Sequence, residues 1–164
     1  MSHHRRRITV SERVHVARSP HDVFDYSQDY GRRAEWDPSV TDAQVVCESP
    51  RRIRIAVRGL GRFTVSYQLF RRGQRTSAAF VDVASPWISG GGGSWRYEPR
   101  DGGTDWTQTN TLELKRPWLV LIAPLMQASL RSTMRRSMAE AKRQLEAATH
   151  PHATPDAASG SAAR

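Results

Sequence analysis

The chain has 164 residues, which is the size of one domain with a hydrophobic core and is too short for two domains of ordinary size. Hydrophobic residues make up 38% of the sequence and charged residues 25%, a balance that excludes a wholly disordered chain. The formal charge of +9 comes mostly from arginine, and net charge alone speaks to solubility and non-specific association rather than to fold.

Residues 8–16 alternate between apolar and polar side chains, which predicts a half-buried strand. Ile8, Val10, Val14 and Val16 form its inner face, and Glu12 lies among them. We expect Glu12 to pair with an arginine or to be turned outward by a bulge. A buried carboxylate that serves as an acid or base is the alternative.

A short helix is predicted after this strand. Ser19 supplies an N-cap, Pro20 occupies the first helical position and Asp22 places a carboxylate in the first turn. A second helix is predicted over residues 29–36. It ends at Asp37, because the residue before a proline avoids helical backbone angles.

Residues 40–114 lack a helical period and show alternation broken by turn residues, which predicts six antiparallel strands. These strands cover residues 40–48, 52–60, 62–71, 75–84, 94–98 and 105–114. The glycine run 90–93 is predicted to be a flexible connection and a candidate lid over an internal cavity. The inner face of strand 75–84 stays undecided, because Phe80 shares one side with Asp82 while the other side carries alanine and valine.

An apolar stripe at spacings of three or four residues predicts one long helix at the end of the domain, which Pro124 should kink or restart. The stripe consists of Leu119, Ile122, Met126, Leu130, Met134, Met138, Ala141 and Leu145. Residues 1–7 are predicted to be a flexible basic segment and residues 148–164 a disordered tail. The folded domain is therefore expected to span residues 8–147.

The order β-α-α-β6-α is that of an α+β domain. The segments VHVARSPHDVFDYSQD (14–29), EWDP (35–38), GSWRYEP (93–99) and GTDW (103–106) resemble the START-like (SRPBCC) superfamily, in particular its polyketide cyclase/dehydrase and lipid-transport branch. The resemblance covers about residues 8–147. It implies a helix-grip fold, in which a curved antiparallel seven-stranded sheet wraps around the long C-terminal helix and leaves a cavity between them.

Candidate site residues follow from the strand phases. The inner face of the last strand carries Trp106, Gln108 and Asn110, and a buried amide without partners costs about 1–3 kcal/mol. These amides are expected to hold a ligand, or else to satisfy each other, Tyr67 or backbone groups. Tyr67 is also the one candidate catalytic residue, against the alternative of a core tyrosine bonded to a neighbour. The predicted ligand-binding residues are Tyr67, Trp95, Trp106, Gln108, Asn110, Met126, Leu130 and Met134.

We expect the cavity to bind a hydrophobic small molecule, such as a lipid, quinone, isoprenoid or polyketide-like compound, mainly by desolvating its apolar surface. The resemblance implies an alternative in another class, a polyketide cyclase, aromatase or dehydratase that acts in the same cavity. A third possibility is a subunit or chaperone-like protein that uses its basic outer sheet. The sequence does not determine the ligand or the oligomeric state.

Other partners are not expected. We expect no cofactor. We also predict no metal site, because Cys47 is the single cysteine of the sequence and the alternation of the first strand places His15 on its outer face. The arginines along residues 51–75 lack a reading helix or stacking platform for a specific nucleic acid. The longest apolar stretch, 118–126, is half the length of a membrane span, and the apolar stripe of the last helix is needed by the sheet rather than by a membrane surface. No secretory signal is visible, so the cytoplasm is the expected compartment.

Overall fold

The computed structural model describes residues 6–148, and most of the two terminal segments predicted to be flexible, 1–7 and 148–164, lies outside the described residues. In chain order the elements are β1 Arg7–Val16, α1 Pro20–Ser27, α2 Arg33–Trp36, β2 Val40–Glu48, β3 Arg51–Val57, β4 Gly61–Arg71, β5 Arg75–Ala84, β6 Ile88–Arg100, β7 Gly103–Leu114, a 3-10 helix Pro117–Leu121 and α3 Ala123–Ala147. The strands form one antiparallel sheet in the order β1-β7-β6-β5-β4-β3-β2. The predicted α+β order is confirmed.

The local signals at the start of the chain act as predicted. The Ser19 hydroxyl accepts a hydrogen bond from the Asp22 amide at 3.2 Å and caps α1, which has proline in its first turn. Helix α2 is shorter than the predicted 29–36. Only the last four residues of that range, Arg33–Trp36, are helical, and the helix ends at Asp37 as predicted. Both helices lie between β1 and β2 in the chain, and they cover one end of the sheet.

The first strand presents its predicted inner face to the core, and Glu12 pairs across it with helix α3. Val10 and Val16 are fully buried. The Glu12 carboxylate accepts from Arg135 Nε at 2.8 Å and lies 3.2 Å from Arg131 Nε. The expectation that Glu12 pairs with an arginine is therefore confirmed. These ion pairs connect β1 to α3.

The prediction of a flexible connection or lid at the glycine run 90–93 is wrong. These glycines lie inside β6. Gly91, Gly92 and Gly93 pair with both β5 and β7, and Gly90 pairs with β7. A Cβ on Gly92 would come within 2.6 Å of the Ala78 carbonyl oxygen, and one on Gly93 within 2.8 Å of the Trp95 ring. Glycine is therefore required here for close approach of neighbouring groups rather than for a turn.

Strand β5 changes its phase along its length, which explains why its inner face could not be read from alternation. Ala78 is buried and Phe80 packs on Phe63 with ring centroids 4.5 Å apart, so the even positions point inward. Asp82 then adopts a positive φ of 52°, the pairing with β4 shifts register, and Val83 packs against the core instead.

Helix α3 lies across the concave face of the sheet and follows a 3-10 helix that ends at Leu121. Pro124 lies in the first turn of α3, so it restarts the helix, as predicted. The second half of the apolar stripe is buried, with Met138 and Ala141 almost inaccessible. In the first half, Leu130 is only partly buried, because it lines a cavity between the helix and the sheet. None of the helices within residues 6–148 is long and apolar enough to cross a membrane.

Candidate ligand-binding site

A two-chambered cavity lies between the concave face of the sheet and α3. The inner chamber has a volume of about 90 Å³ and the outer chamber about 360 Å³. Both are lined by Ser39, Val57, Leu60, Leu112, Leu130 and Thr133. These shared walls show that the two chambers adjoin. The larger volume falls within the range typical of small-molecule sites.

The inner chamber combines apolar walls with a polar end. Its apolar walls come from the middle strands and α3 and include Ile55, Phe63, Val65, Phe80, Trp95 and Met134. Its polar side chains are Tyr30, Arg33, Asp37, Ser39, Gln108, Asn110, Thr133 and Ser137. The outer chamber is lined mainly by apolar side chains, among them Trp87, Ile122, Leu125 and Met126. Both chambers therefore have mainly apolar walls, and the inner one also contains buried polar side chains, among them Gln108 and Ser137.

Two side-chain amides on β7 face the inner chamber. Gln108 is only 5% exposed, and Asn110 lies beside it on the same face of the strand. Within residues 6–148, neither amide has a hydrogen-bond partner in the protein, so Tyr67 and the backbone do not satisfy them. The buried indole N–H of Trp95, a further residue of this wall, has no hydrogen-bond partner there either. The inner chamber thus presents unused donors and acceptors on one wall.

Two hydrogen-bonded tyrosine hydroxyls meet at Tyr30, which also lines the inner chamber. The Tyr67 hydroxyl donates to Gln28 Oε1 at 2.7 Å, and the Tyr30 and Tyr67 hydroxyls are 3.0 Å apart. The Gln28 oxygen can only accept a hydrogen bond, so Tyr67 donates its one hydroxyl proton to Gln28. The hydrogen bond between the two tyrosines therefore runs from the Tyr30 hydroxyl, as donor, to the Tyr67 oxygen. Burial raises the pKa of Tyr67 well above its ordinary value of 10, which keeps it a neutral phenol. Tyr30 consequently offers the chamber an oxygen that accepts a hydrogen bond.

An ion pair closes the polar end between α2 and α3. Arg33 Nη2 lies 3.0 Å from Asp37 Oδ2, and both side chains are at most one-tenth exposed. The other Asp37 oxygen accepts from Ser39 Oγ at 2.6 Å and from Ser137 Oγ at 3.1 Å. The Arg33 guanidinium lies 4.1 Å from the Trp36 ring centre. The pair is well satisfied, so it joins α2 to α3 without leaving an uncompensated charge.

The structure brings most of the predicted site residues to one cavity. Trp95, Gln108, Asn110, Leu130 and Met134 line the inner chamber, and Met126 lines the outer one. Tyr67 and Trp106 lie behind the wall. Tyr67 contacts Tyr30 and Gln28, and the fully buried Trp106 stacks against Tyr97 and meets Trp36 edge-on.

Sequence reasoning missed the polar residues that come from outside the sheet. Tyr30, Arg33, Asp37 and Ser137 lie on the short helical segment before β2 and on α3. The segment of Tyr30, Arg33 and Asp37 has no alternation from which an inward face follows, and its one signal is the spacing of four between Arg33 and Asp37, which suits an ion pair along a helical turn. Ser137 lies three residues after Met134 and four before Ala141, so the stripe of α3 places it on the inner face.

Comparison with known proteins identifies the family of the chain. The sequence matches the model of the family described as polyketide cyclase / dehydrase and lipid transport over residues 7–146. No curated protein matches the chain in sequence. The structural relatives below are all less than 20% identical to the chain, so they show its fold alone.

Three solved structures illustrate the shared fold. TTHA0849 from Thermus thermophilus has a TM-score of 0.73 at 19% identity, over 87% of this chain and 99% of that one. A START superfamily protein from Mycobacterium smegmatis has a TM-score of 0.72 at 15% identity, over 87% and 99%. The Zhui aromatase/cyclase from a Streptomyces species has a TM-score of 0.74 at 16% identity, over 88% and 97%. The predicted helix-grip, START-like fold is confirmed, and the chain belongs to the polyketide cyclase / dehydrase and lipid transport family.

Proposed function

We propose that the chain binds one hydrophobic small molecule between the sheet and α3, with the polar end of the molecule in the inner chamber and its apolar part toward the mouth. The observation that carries this proposal is the buried, unpartnered amide of Gln108 at the deep end of a mainly apolar cavity. A lipid, quinone, isoprenoid or polyketide-like compound with a hydroxyl or carbonyl group at one end has this distribution of polarity. Either group gives the Gln108 and Asn110 amides the hydrogen bonds that they lack.

The energy of binding would come mainly from the apolar part of the ligand. A molecule that removes roughly 200 Å² of its apolar surface from water in the outer chamber gains roughly 5 kcal/mol. A neutral hydrogen bond to an amide at the deep end adds about 0.5–1.5 kcal/mol, which sets orientation more than affinity. Met126 and Met134, on the two chambers, have flexible side chains that adjust to different apolar shapes.

Calorimetric titration with two probes, dodecanoic acid and a dihydroxyanthraquinone, tests the proposal. Leu130 lines both chambers, so Leu130→Trp narrows the passage and should weaken probe binding at least tenfold. Val46→Trp, at an exposed position of β2, is the matched control and should leave binding unchanged. Absence of saturable one-to-one binding by both probes, or equal affinity in the wild-type protein and Leu130→Trp, would show that the cavity is not a ligand site.

The alternative function is cyclisation, aromatisation or dehydration of a polyketide-like substrate in the same cavity. The observation that favours it is the Tyr30 hydroxyl, which Tyr67 holds in place and which can accept a hydrogen bond from a substrate hydroxyl, because cyclisation needs a pocket that fixes the folded substrate. Tyr30 would be the residue that touches substrate, and Tyr67 a positioning residue behind it. An enzyme would lose turnover of a poly-β-keto thioester in Tyr30→Phe while keeping its affinity. Binding with no aromatic product in the wild-type protein would instead favour a carrier.

A further inference from the structure

Three large apolar side chains are exposed beside the mouth of the cavity. Leu121 is 84% exposed, Leu125 is 72% exposed and Trp118 is 52% exposed. They lie on the 3-10 helix and the first turn of α3. These three residues are not part of the predicted apolar stripe, whose Leu119, Ile122 and Met126 pack with the core.

The cavity mouth also carries unpaired positive charge. Arg58 lines the outer chamber, Arg62 follows on the next strand and Arg116 directly precedes the 3-10 helix. All three are exposed, and none has a salt bridge among residues 6–148. Glu113, in the strand that leads to the 3-10 helix, is already paired with Arg7 at 2.6 Å. This end of the molecule therefore attracts anions.

We propose that this mouth patch, Trp118, Leu121 and Leu125 together with Arg58 and Arg116, docks on the surface of an anionic lipid bilayer. Apolar side chains that enter the headgroup region, flanked by arginines that meet anionic lipids, are the combination that holds proteins at such a surface. An indole ring is well suited to the boundary between headgroups and acyl chains.

The position of the patch favours a bilayer over a protein partner. The three side chains expose roughly 400 Å² of apolar surface. Leu125 belongs both to the patch and to the wall of the outer chamber. Docking would thus bring the cavity mouth against the acyl region, and an apolar molecule would pass between bilayer and cavity without crossing water. The docking itself does not depend on the identity of that molecule.

Co-sedimentation of the full chain with vesicles tests this proposal without a cavity ligand. Vesicles of phosphatidylcholine with about one third phosphatidylglycerol should bind the protein, and vesicles of phosphatidylcholine alone should bind it much less. The double variant Leu121→Ser/Leu125→Ser should bind the anionic vesicles at least tenfold more weakly. The matched control is Val45→Ser/Val46→Ser, which removes two exposed aliphatic side chains from β2 and should bind like the wild-type protein.

The charge component has its own pair of variants. Removing two arginines near an anionic surface, as in Arg58→Gln/Arg116→Gln, should weaken binding roughly 30-fold and flatten its salt dependence. The control Arg52→Gln/Arg54→Gln removes two exposed arginines from β3 and should retain most of the binding. All variants should keep the wild-type melting temperature, because the altered side chains are exposed.

Three results would overturn the proposal. One is no binding of the wild-type protein to anionic vesicles. Another is an equal loss of binding in the mouth variants and their controls. The third is a concentration-dependent dimer, seen by sedimentation and abolished by Leu121→Ser/Leu125→Ser, which would assign the patch to a second copy of the chain.

Discussion

Replacing Gln108 by leucine is expected to stabilise the ligand-free protein and to weaken ligand binding. The Gln108 amide is 5% exposed and has no hydrogen-bond partner within residues 6–148. An unsatisfied buried amide costs about 1–3 kcal/mol, and the low end applies here because the 90 Å³ inner chamber is large enough to admit water. Leucine has a similar volume without the polar group. We therefore expect a gain of about 1 kcal/mol, or about 2–4 °C in Tm for a chain of this size.

Urea unfolding and calorimetric titration measure the two effects. The variant should have a higher urea midpoint with an unchanged slope, and it should bind dihydroxyanthraquinone roughly two- to tenfold more weakly through loss of one hydrogen bond. Gln68→Leu is the matched control, since Gln68 is exposed on β4, and it should change stability by less than about 0.5 kcal/mol. Destabilisation of Gln108→Leu by more than about 1 kcal/mol would refute the reasoning, because it would mean that the amide is satisfied in the folded protein.

Two further predictions concern buried polar groups. Asp37→Ala leaves the Arg33 guanidinium buried without its partner, so urea unfolding should show a loss of about 3–5 kcal/mol, and a loss below about 1 kcal/mol would contradict a buried pair. Burial raises the pKa of Tyr67 and of Tyr97, so both groups stay neutral in the folded protein above pH 10 but ionise in the unfolded chain. The stabilising contribution of the two neutral tyrosines is intact below pH 10. Above pH 10 the free energy of unfolding should fall by about 1.4 kcal/mol per pH unit for each tyrosine, until the folded-state pKa of that tyrosine is reached. Urea unfolding of the wild-type protein and of Tyr67→Phe between about pH 9 and 11 checks this, because removing one tyrosine should make the decline shallower.

Much of the fold could be predicted because its signals are local. Alternation along β1 marks the inward positions, and Ser19 with Pro20 marks the start of α1. The prediction of a flexible connection at the glycine run is wrong, because glycine occurs both in turns and where neighbouring strands approach closely. Only tertiary contacts distinguish these two cases. The inner face of β5 could not be predicted for a related reason. The change of inward and outward positions at Asp82 depends on the pairing of β5 with β4.

The site was predictable on the sheet and not elsewhere. The phase of β7 places Gln108 and Asn110 on the concave face without any knowledge of the other strands. Tyr30 and Arg33 reach the same chamber from a segment with no periodic pattern, so their positions follow only from how α2 packs against α3. The placement of Tyr67 behind Tyr30 likewise depends on two elements that are distant in sequence.

Methionine-methyl NMR during a titration with dodecanoic acid tests the central claim most directly, because the chain has four methionines at distinct places. Met134 lines the inner chamber and Met126 the outer chamber, whereas Met138 is buried one turn further along α3 and lines neither chamber. Binding in the cavity predicts saturable shifts of the Met126 and Met134 methyl signals, with a much smaller change at Met138. Saturation without a shift at either cavity methionine would place the bound molecule elsewhere and contradict the account.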